Sequence, residues 1–198
     1  REREREREMA KVPIILMLYS MVIAVPIVHG IAEGPKEVEE WFTKMSHAKQ
    51  NVTKLHFYFH DLLYGKNPTA ALVAQANISG ISPTFFGVVN MMDDPLTVGP
   101  ELSSKLVGRA QGLYGSASLE EVGLLMVANF VFTEGEYNGS SLAVMGHNPT
   151  GHQYREMPIV GGSGVFRLAR GIVTLKTYFF DAPGGNATVE VNVIAMHY

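Results

Sequence analysis

Nine short runs rich in Val, Ile, Phe and Tyr occupy most of the chain, and turn sequences separate them. Such residues are enriched in strands. The runs are Lys54–Leu63, Ala71–Ile78, Phe86–Met92, Val107–Gly115, Gly123–Thr133, Ser140–Gly146, Glu156–Val160, Phe166–Phe180 and Thr188–Met196. Turn signals such as Asn138-Gly139 and Asp94-Pro95 lie between them. Many short strands with almost no helix between them predict an all-β antiparallel sandwich or barrel.

The first run contains the sequence KLHFYFHD and ends in a carboxylate, Asp61. Successive side chains of a strand point to opposite faces, so Phe57, Phe59 and Asp61 share one face. If that face looks into a core or cavity, Asp61 looks there too. A carboxylate in that position is either a structural residue with partners or a group that takes part in chemistry.

The run GLLMVANFVFT, residues 123–133, is apolar on both faces. The wall of a barrel has only one face inside. An apolar outer face needs cover, which indicates contacts between subunits.

The N-terminal part divides into three segments before one domain at residues 53–198. Residues 1–8, RERERERE, form a low-complexity extension that takes no part in the fold prediction. Residues 9–30 resemble a secretory signal peptide, with Lys11 before an apolar run. A membrane helix is the alternative, but the run contains two prolines and is short of the about 20 apolar residues that a span needs.

Residues 31–52 form a leader, in which Pro35 and the helical spacing of Val38, Trp41, Phe42 and Met45 indicate a short amphipathic helix or turn. Four N-x-S/T sequons follow in the chain, at Asn51, Asn77, Asn138 and Asn186. Together with a signal peptide they predict a secreted, extracellular glycoprotein, with no stable membrane association. The chain has no cysteine, which excludes disulfides and thiol chemistry, so the core or oligomerisation must hold the domain.

Few residues point to a metal, a nucleotide or a nucleic acid. A net charge of −3 offers no basic surface for nucleic acid. On one strand, His56 and His60 would lie about 13 Å apart, too far to chelate one ion. His147 and His152 flank a predicted loop, and the glycine-rich residues 161–164 predict a hairpin turn, since no helix follows to bind a phosphate. No cofactor is expected.

Polar residues at the predicted strand ends remain as candidates for a site. They are Asp61, Tyr114, His147, Asn148, Tyr154, Arg155 and Glu156. Each alone fits a structural role at least as well as a functional one. Composition and pattern therefore lead to a secreted all-β domain with a possible apolar pocket.

Several ordered stretches resemble the dirigent proteins of plants. They are FYFHDLLYGKNPTA (57–70), DDPLT (93–97), SSKLVGRAQGLY (103–114), GHNP (146–149) and REMPIVGGSGVFRLARG (155–171). The resemblance runs from about Lys54 to the C-terminus. It implies an eight-stranded antiparallel β-barrel that forms homotrimers, each barrel with its own pocket for a small phenolic substrate.

The functions of that family divide. Lignan-forming members steer the coupling of phenoxy radicals that a separate laccase or peroxidase makes, and they carry two cysteines and an aspartate where Asn148 stands. This chain, with neither, more closely resembles the legume pterocarpan synthases. The resemblance implies a dehydrating cyclase of isoflavonoid phytoalexin biosynthesis, which converts a 2′-hydroxyisoflavanol to a pterocarpan through a quinone methide. Radical steering with an oxidase is the alternative, and binding of phenolics or glycans without turnover is a third hypothesis.

The same resemblance implies roles for individual residues. Asp61 is the expected acid and His147 the expected base, with the reverse order left open. Arg155 matches a pocket arginine that stabilises a phenolate or orients Asp61. The expected substrate-binding residues are Tyr114, Asn148, Phe59 and Tyr154.

Overall fold

A computed structural model describes residues 34–45 and 47–198. One helix, α1 (Pro35–Met45), precedes nine strands. The strands are β1 (Asn51–Asp61), β2 (Ala70–Gln75), β3 (Val88–Thr97), β4 (Leu106–Ser116), β5 (Gly123–Phe132), β6 (Ser141–Pro149), β7 (Arg155–Ser163), β8 (Arg170–Phe180) and β9 (Ala187–His197). The extension and signal peptide predicted for residues 1–30 lie outside the described residues.

Eight of the strands close into an antiparallel barrel in the order β1-β9-β8-β7-β6-β5-β4-β3. The barrel closes where Tyr58 and Phe59 of β1 pair with Thr97 and Leu96 of β3. The first half of β3 pairs with β2 instead, so β1 and β2 follow one another along one edge of β3. The eight-stranded antiparallel barrel expected from the sequence is confirmed.

Aromatic side chains fill one end of the barrel interior. The rings of Phe57 and Phe130 meet edge to face at 5.3 Å between centroids, and those of Phe132 and Phe166 lie 5.6 Å apart. Tyr137, from a 3₁₀ turn at Gly135–Tyr137, packs 5.0 Å from Phe166. Edge-to-face and tilted contacts add to the stabilisation that burial of the rings supplies. We call these five residues the aromatic end.

The turn predicted at Asp94-Pro95 is wrong, because DDPLT forms the second half of β3. The N–H of Asp93 donates to the carbonyl of Thr69, which precedes β2. The nitrogen of Pro95 faces the same edge of β3. At that edge the pairing with β2 reaches Met92 and the pairing with β1 begins at Leu96, so Pro95 lies between them. A proline is tolerated there because no ladder partner requires its missing N–H.

Two more predicted loops are also part of strands. GHNP ends β6, and Gly161 and Gly162 of the predicted hairpin turn belong to β7, which runs to Ser163. A Cβ on Gly162 would collide with the carbonyl oxygen of Phe166. This close backbone approach accounts for a glycine inside a strand. The turn lies beyond it, in a second 3₁₀ segment at Gly164–Phe166.

The leader and the outer face of β5 follow the sequence pattern. The guanidinium of Arg167 lies 4.5 Å from the ring centroid of Trp41 on α1, a cation–π contact that attaches the helix to the barrel. On β5, Leu125 and Val127 point outward and remain exposed, although the strand's other face is buried. Among the described residues, no helix has the length and apolar character needed to cross a membrane.

Candidate active site

The end of the barrel opposite the aromatic end carries polar side chains. Antiparallel neighbours place the last residues of β1, β4, β6 and β8 and the first residue of β7 at this end. The alternation of side chains brings polar groups from these strands to the inner face: Asp61, Tyr114, Asn148, Arg155 and Thr177. We call these residues, together with Asp94 described below, the polar end.

Asp61 and Tyr114 form one contact of the polar end. The phenol of Tyr114 donates a hydrogen bond to Asp61 Oδ1 at 3.2 Å. Burial raises the pKa of Asp61 to about 6, and the hydrogen bond from Tyr114 partly opposes this rise. A carboxyl group whose pKa lies near the working pH is suited to give up and recover a proton.

Asp94 is a second carboxyl group of this site, and sequence reasoning missed it. Its side chain is fully buried, and the hydroxyl of Thr69 donates to its Oδ1. Burial, followed by the nearby charge of Asp61, raises the pKa of Asp94 to about 8. The alternation of Met92, Asp94 and Leu96 on one face was the available signal, but the turn preference of Asp-Pro concealed it.

Arg155 is a buried cation with neutral partners. Its Nε donates to Asn148 Oδ1 at 3.0 Å, and one terminal nitrogen donates to the Thr177 hydroxyl at 2.8 Å and to the His152 carbonyl at 3.3 Å. Burial lowers the pKa of Arg155, yet a guanidinium stays charged in proteins. No carboxylate within residues 34–45 and 47–198 pairs with it. A buried charge without a counterion favours a ligand that brings negative charge.

A cavity lies between this guanidinium and the core. Its lining residues are Phe59, Met126, Ala128, Phe130, Asn148, Arg155, Met157, Leu175, Val189 and Val191. Apolar walls with a few convergent polar groups are typical of small-molecule sites. The predicted substrate residues Phe59 and Asn148 thus share one cavity with Arg155.

Asp61 and Tyr114 belong to the polar end but do not line this cavity, and two other predicted site residues belong to neither. Because Asn148 points inward on β6, its neighbour His147 points outward, where its Nε2 lies 3.3 Å from Glu121 Oε1. Tyr154 is 62% exposed in the loop before β7, and its ring lies 5.9 Å from the ammonium of Lys176. Neither side chain lines the cavity, so the structure does not bring the expected base to the interior.

The sequons lie outside the polar end, and no metal site accompanies it in the described part of the chain. Asn51, Asn77 and Asn138 are exposed, whereas the side-chain amide of Asn186 bonds both the backbone N–H and the carbonyl of Tyr64, at 3.0 and 3.1 Å. No cluster of three or more metal-ligating side chains occurs in the described part of the chain.

The fold and site together define a class: an antiparallel β-barrel with an apolar cavity, and with carboxyl groups and a guanidinium inside one end. The family model described as "Dirigent-like protein" matches residues 52–196. The chain therefore belongs to the dirigent family, as its sequence motifs predict.

Relatives and solved structures agree with that assignment. Dirigent protein 23 of Arabidopsis thaliana is 48% identical over 91% of this chain and 95% of its own length. Pterocarpan synthase 1 of Glycyrrhiza echinata is 47% identical over 79% of this chain and 84% of its own. The solved structure of the pterocarpan synthase dirigent protein PsPTS1 superposes with a TM-score of 0.70 at 47% identity, covering 75% of this chain and 96% of that one.

Proposed function

We propose that this protein is a dehydrating cyclase that converts a 2′-hydroxyisoflavanol to a pterocarpan. The observation that carries the proposal is the carboxyl group of Asp61, whose pKa burial raises to about 6 at the polar end of an apolar barrel. The relatives named pterocarpan synthase support the choice of substrate. The overall reaction is an intramolecular ring closure with loss of one water.

The first step breaks the bond between C4 and its hydroxyl oxygen. Hydroxide is a poor leaving group, so Asp61 gives its proton to this hydroxyl, which departs as water. The 7-hydroxyl releases its proton to solvent, and the remaining cation becomes a neutral quinone methide. Water would trap this electrophile, and the apolar walls around Phe59 and Val189 keep bulk water away.

The second step closes the furan ring. The 2′-hydroxyl attacks C4 within the same molecule, and the pocket holds the two atoms near each other. The proton released by the 2′-hydroxyl passes to Asp61, and the 7-oxygen takes back a proton from solvent. Arg155, which has no anionic partner in the described part of the chain, stabilises the negative charge that develops on the phenol oxygen. Tyr114 keeps Asp61 oriented.

The expected assembly and location belong to the same proposal. Exposed apolar side chains on the outer faces of β3, β5 and β6 offer a surface that a homotrimer would cover: Met91, Leu125, Val127 and Met145. Light scattering on the purified protein is expected to give three times the protomer mass. Secretion to the plant cell wall space and glycosylation at exposed sequons complete the proposal, and the mass change on removal of N-glycans checks the last point.

The test uses purified protein from Ile31 onward, a 2′-hydroxyisoflavanol and no oxidase. Chiral chromatography is expected to show one pterocarpan stereoisomer, formed faster than in buffer. An equal rate with and without protein would overturn the cyclase proposal. Coniferyl alcohol with a laccase would then test whether the protein steers radical coupling instead.

A further inference from the structure

The register of the barrel places two carboxyl groups opposite each other. Tyr58 pairs with Thr97 and Phe59 with Leu96 across β1 and β3. Continuing this register by two residues sets Asp61 against Asp94, both on the inner face. The β1–β3 ladder ends at Phe59 and Leu96, so the two carboxyl groups lie just beyond it, near enough for the charge of Asp61 to raise the pKa of Asp94. Two ionised carboxylates that close in a barrel interior would repel each other, and one proton between them removes the repulsion.

The hydrogen bonds of Asp94 favour a protonated side chain. Its Oδ1 accepts from Thr69, but its Oδ2 is fully buried and has no hydrogen-bond partner in the described part of the chain. A buried carboxylate oxygen without a partner is costly, whereas a protonated carboxyl group uses that oxygen to donate. Asp61, whose Oδ1 accepts from Tyr114, is the carboxyl group opposite.

The other charged groups around the pair are already engaged. Arg109 of β4 points to the outer face and bonds Asp93, the neighbour of Asp94. His60, which precedes Asp61, bonds Thr97 on the outer side of the barrel. On β9, Ala187 pairs with Asp61 and adds no charge. The two carboxyl groups therefore interact chiefly with each other, with the phenol of Tyr114 and with the hydroxyl of Thr69.

We propose that Asp94 is a positioning residue whose carboxyl group shares one proton with Asp61, so that the catalytic acid still holds a proton at neutral pH. The proposal rests on the proposed function for the reaction that uses this proton. When Asp61 gives its proton to the leaving hydroxyl, a negative charge remains on the pair, and the two carboxyl groups of Asp61 and Asp94 spread it between them. The 2′-hydroxyl proton then restores the pair.

Infrared titration of the carboxyl band tests the pair without any need for turnover. In the unaltered protein, one of the two carboxyl groups is expected to stay protonated up to about pH 8. In Asp94→Asn the remaining group, Asp61, is expected to lose its proton near pH 6. Where turnover is measurable, the alkaline limit of activity moves down by the same interval. Glu134→Gln, which alters an exposed carboxylate before the 3₁₀ turn of the aromatic end, serves as the control and leaves both profiles unchanged.

Thr69→Val supplies a second variant with the opposite sign. It removes the hydrogen bond that lowers the pKa of Asp94, so the alkaline limit is expected to move upward. An unchanged titration in both variants, with folding verified by circular dichroism, would overturn the shared proton. If the pKa shifts occur as expected but the protein has no cyclase activity, the shared proton stands and the proposed function is refuted. If the protein is a cyclase but Asp94→Asn leaves the titration unchanged, the proposed function stands and the shared proton is refuted.

Discussion

The two ends of the barrel interior use the same strands for opposite purposes. On β1, Phe57 belongs to the aromatic end, and Asp61, on the same face, belongs to the polar end. Burial of an aromatic ring stabilises the fold, whereas burial of a carboxyl group costs free energy unless it is paired or neutralised. The aromatic end therefore supports a polar end that is itself poorly stabilised, as expected of a site built for chemistry.

Removal of a ring from the aromatic end should have the largest effect. Phe57→Ala deletes a side chain that is 2% exposed and contacts Phe130 and Phe132. We expect the free energy of unfolding to fall by about 3–5 kcal/mol, the usual range for a buried phenylalanine. Denaturant unfolding measures it. Phe179→Ala, at a 57% exposed ring of β8, is the control and should lie within about 0.5 kcal/mol of the unaltered protein.

The polar end should make stability depend on pH. The pKa of Asp94 is raised in the folded protein to about 8 from 3.8, so the folded state holds its proton more tightly than the unfolded chain. Below about pH 4, Asp94 therefore does not lower the free energy of unfolding. As the pH rises towards 8, it lowers that free energy progressively.

Asp94→Asn removes this penalty. We expect the variant to be more stable than the unaltered protein by about 1–3 kcal/mol at pH 8, and the difference to shrink as pH falls. Thermal unfolding at several pH values measures it. A constant difference across the range would show that Asp94 is not the group responsible.

A smaller effect is expected where a charge is added beside Arg155. Asn148→Asp places a carboxylate at the position that now accepts the 3.0 Å hydrogen bond from Arg155. The guanidinium then has a permanent counterion and stabilises a phenolate less well. We expect turnover to fall about tenfold, the equivalent of about 1.4 kcal/mol in the barrier. Turnover equal to that of the unaltered protein would remove Arg155 from the mechanism.

The smallest effect belongs to the outer face. The His147 side chain lies outside the barrel, where its ring bonds Glu121, so His147→Ala should leave turnover unchanged. Stability should shift by less than about 0.5 kcal/mol, as for most surface changes. A steep loss of turnover would show that the histidine reaches the substrate after all.

Local pattern was sufficient for the strands and for Asp61, because period-two alternation ties Asp61 to Phe57 and Phe59. It failed at Asp94, where the Asp-Pro turn preference was overridden by pairing with β4 along the whole of β3. It also left the inner face of β6 undefined, and a shift of one residue exchanges His147 for Asn148. The opposition of Asp61 and Asp94 depends on barrel closure, which no local stretch of sequence encodes.

The most direct test of the polar end as a catalytic site is the turnover of Asp61→Asn on a 2′-hydroxyisoflavanol. The asparagine keeps the shape of the side chain but has no proton to give to the leaving hydroxyl. We expect unchanged circular dichroism and molecular mass, with turnover lowered at least about a hundredfold, the lower end of what a positioned acid contributes. Near-normal turnover in the folded variant would contradict the role of Asp61 and, with it, the assignment of chemistry to the polar end.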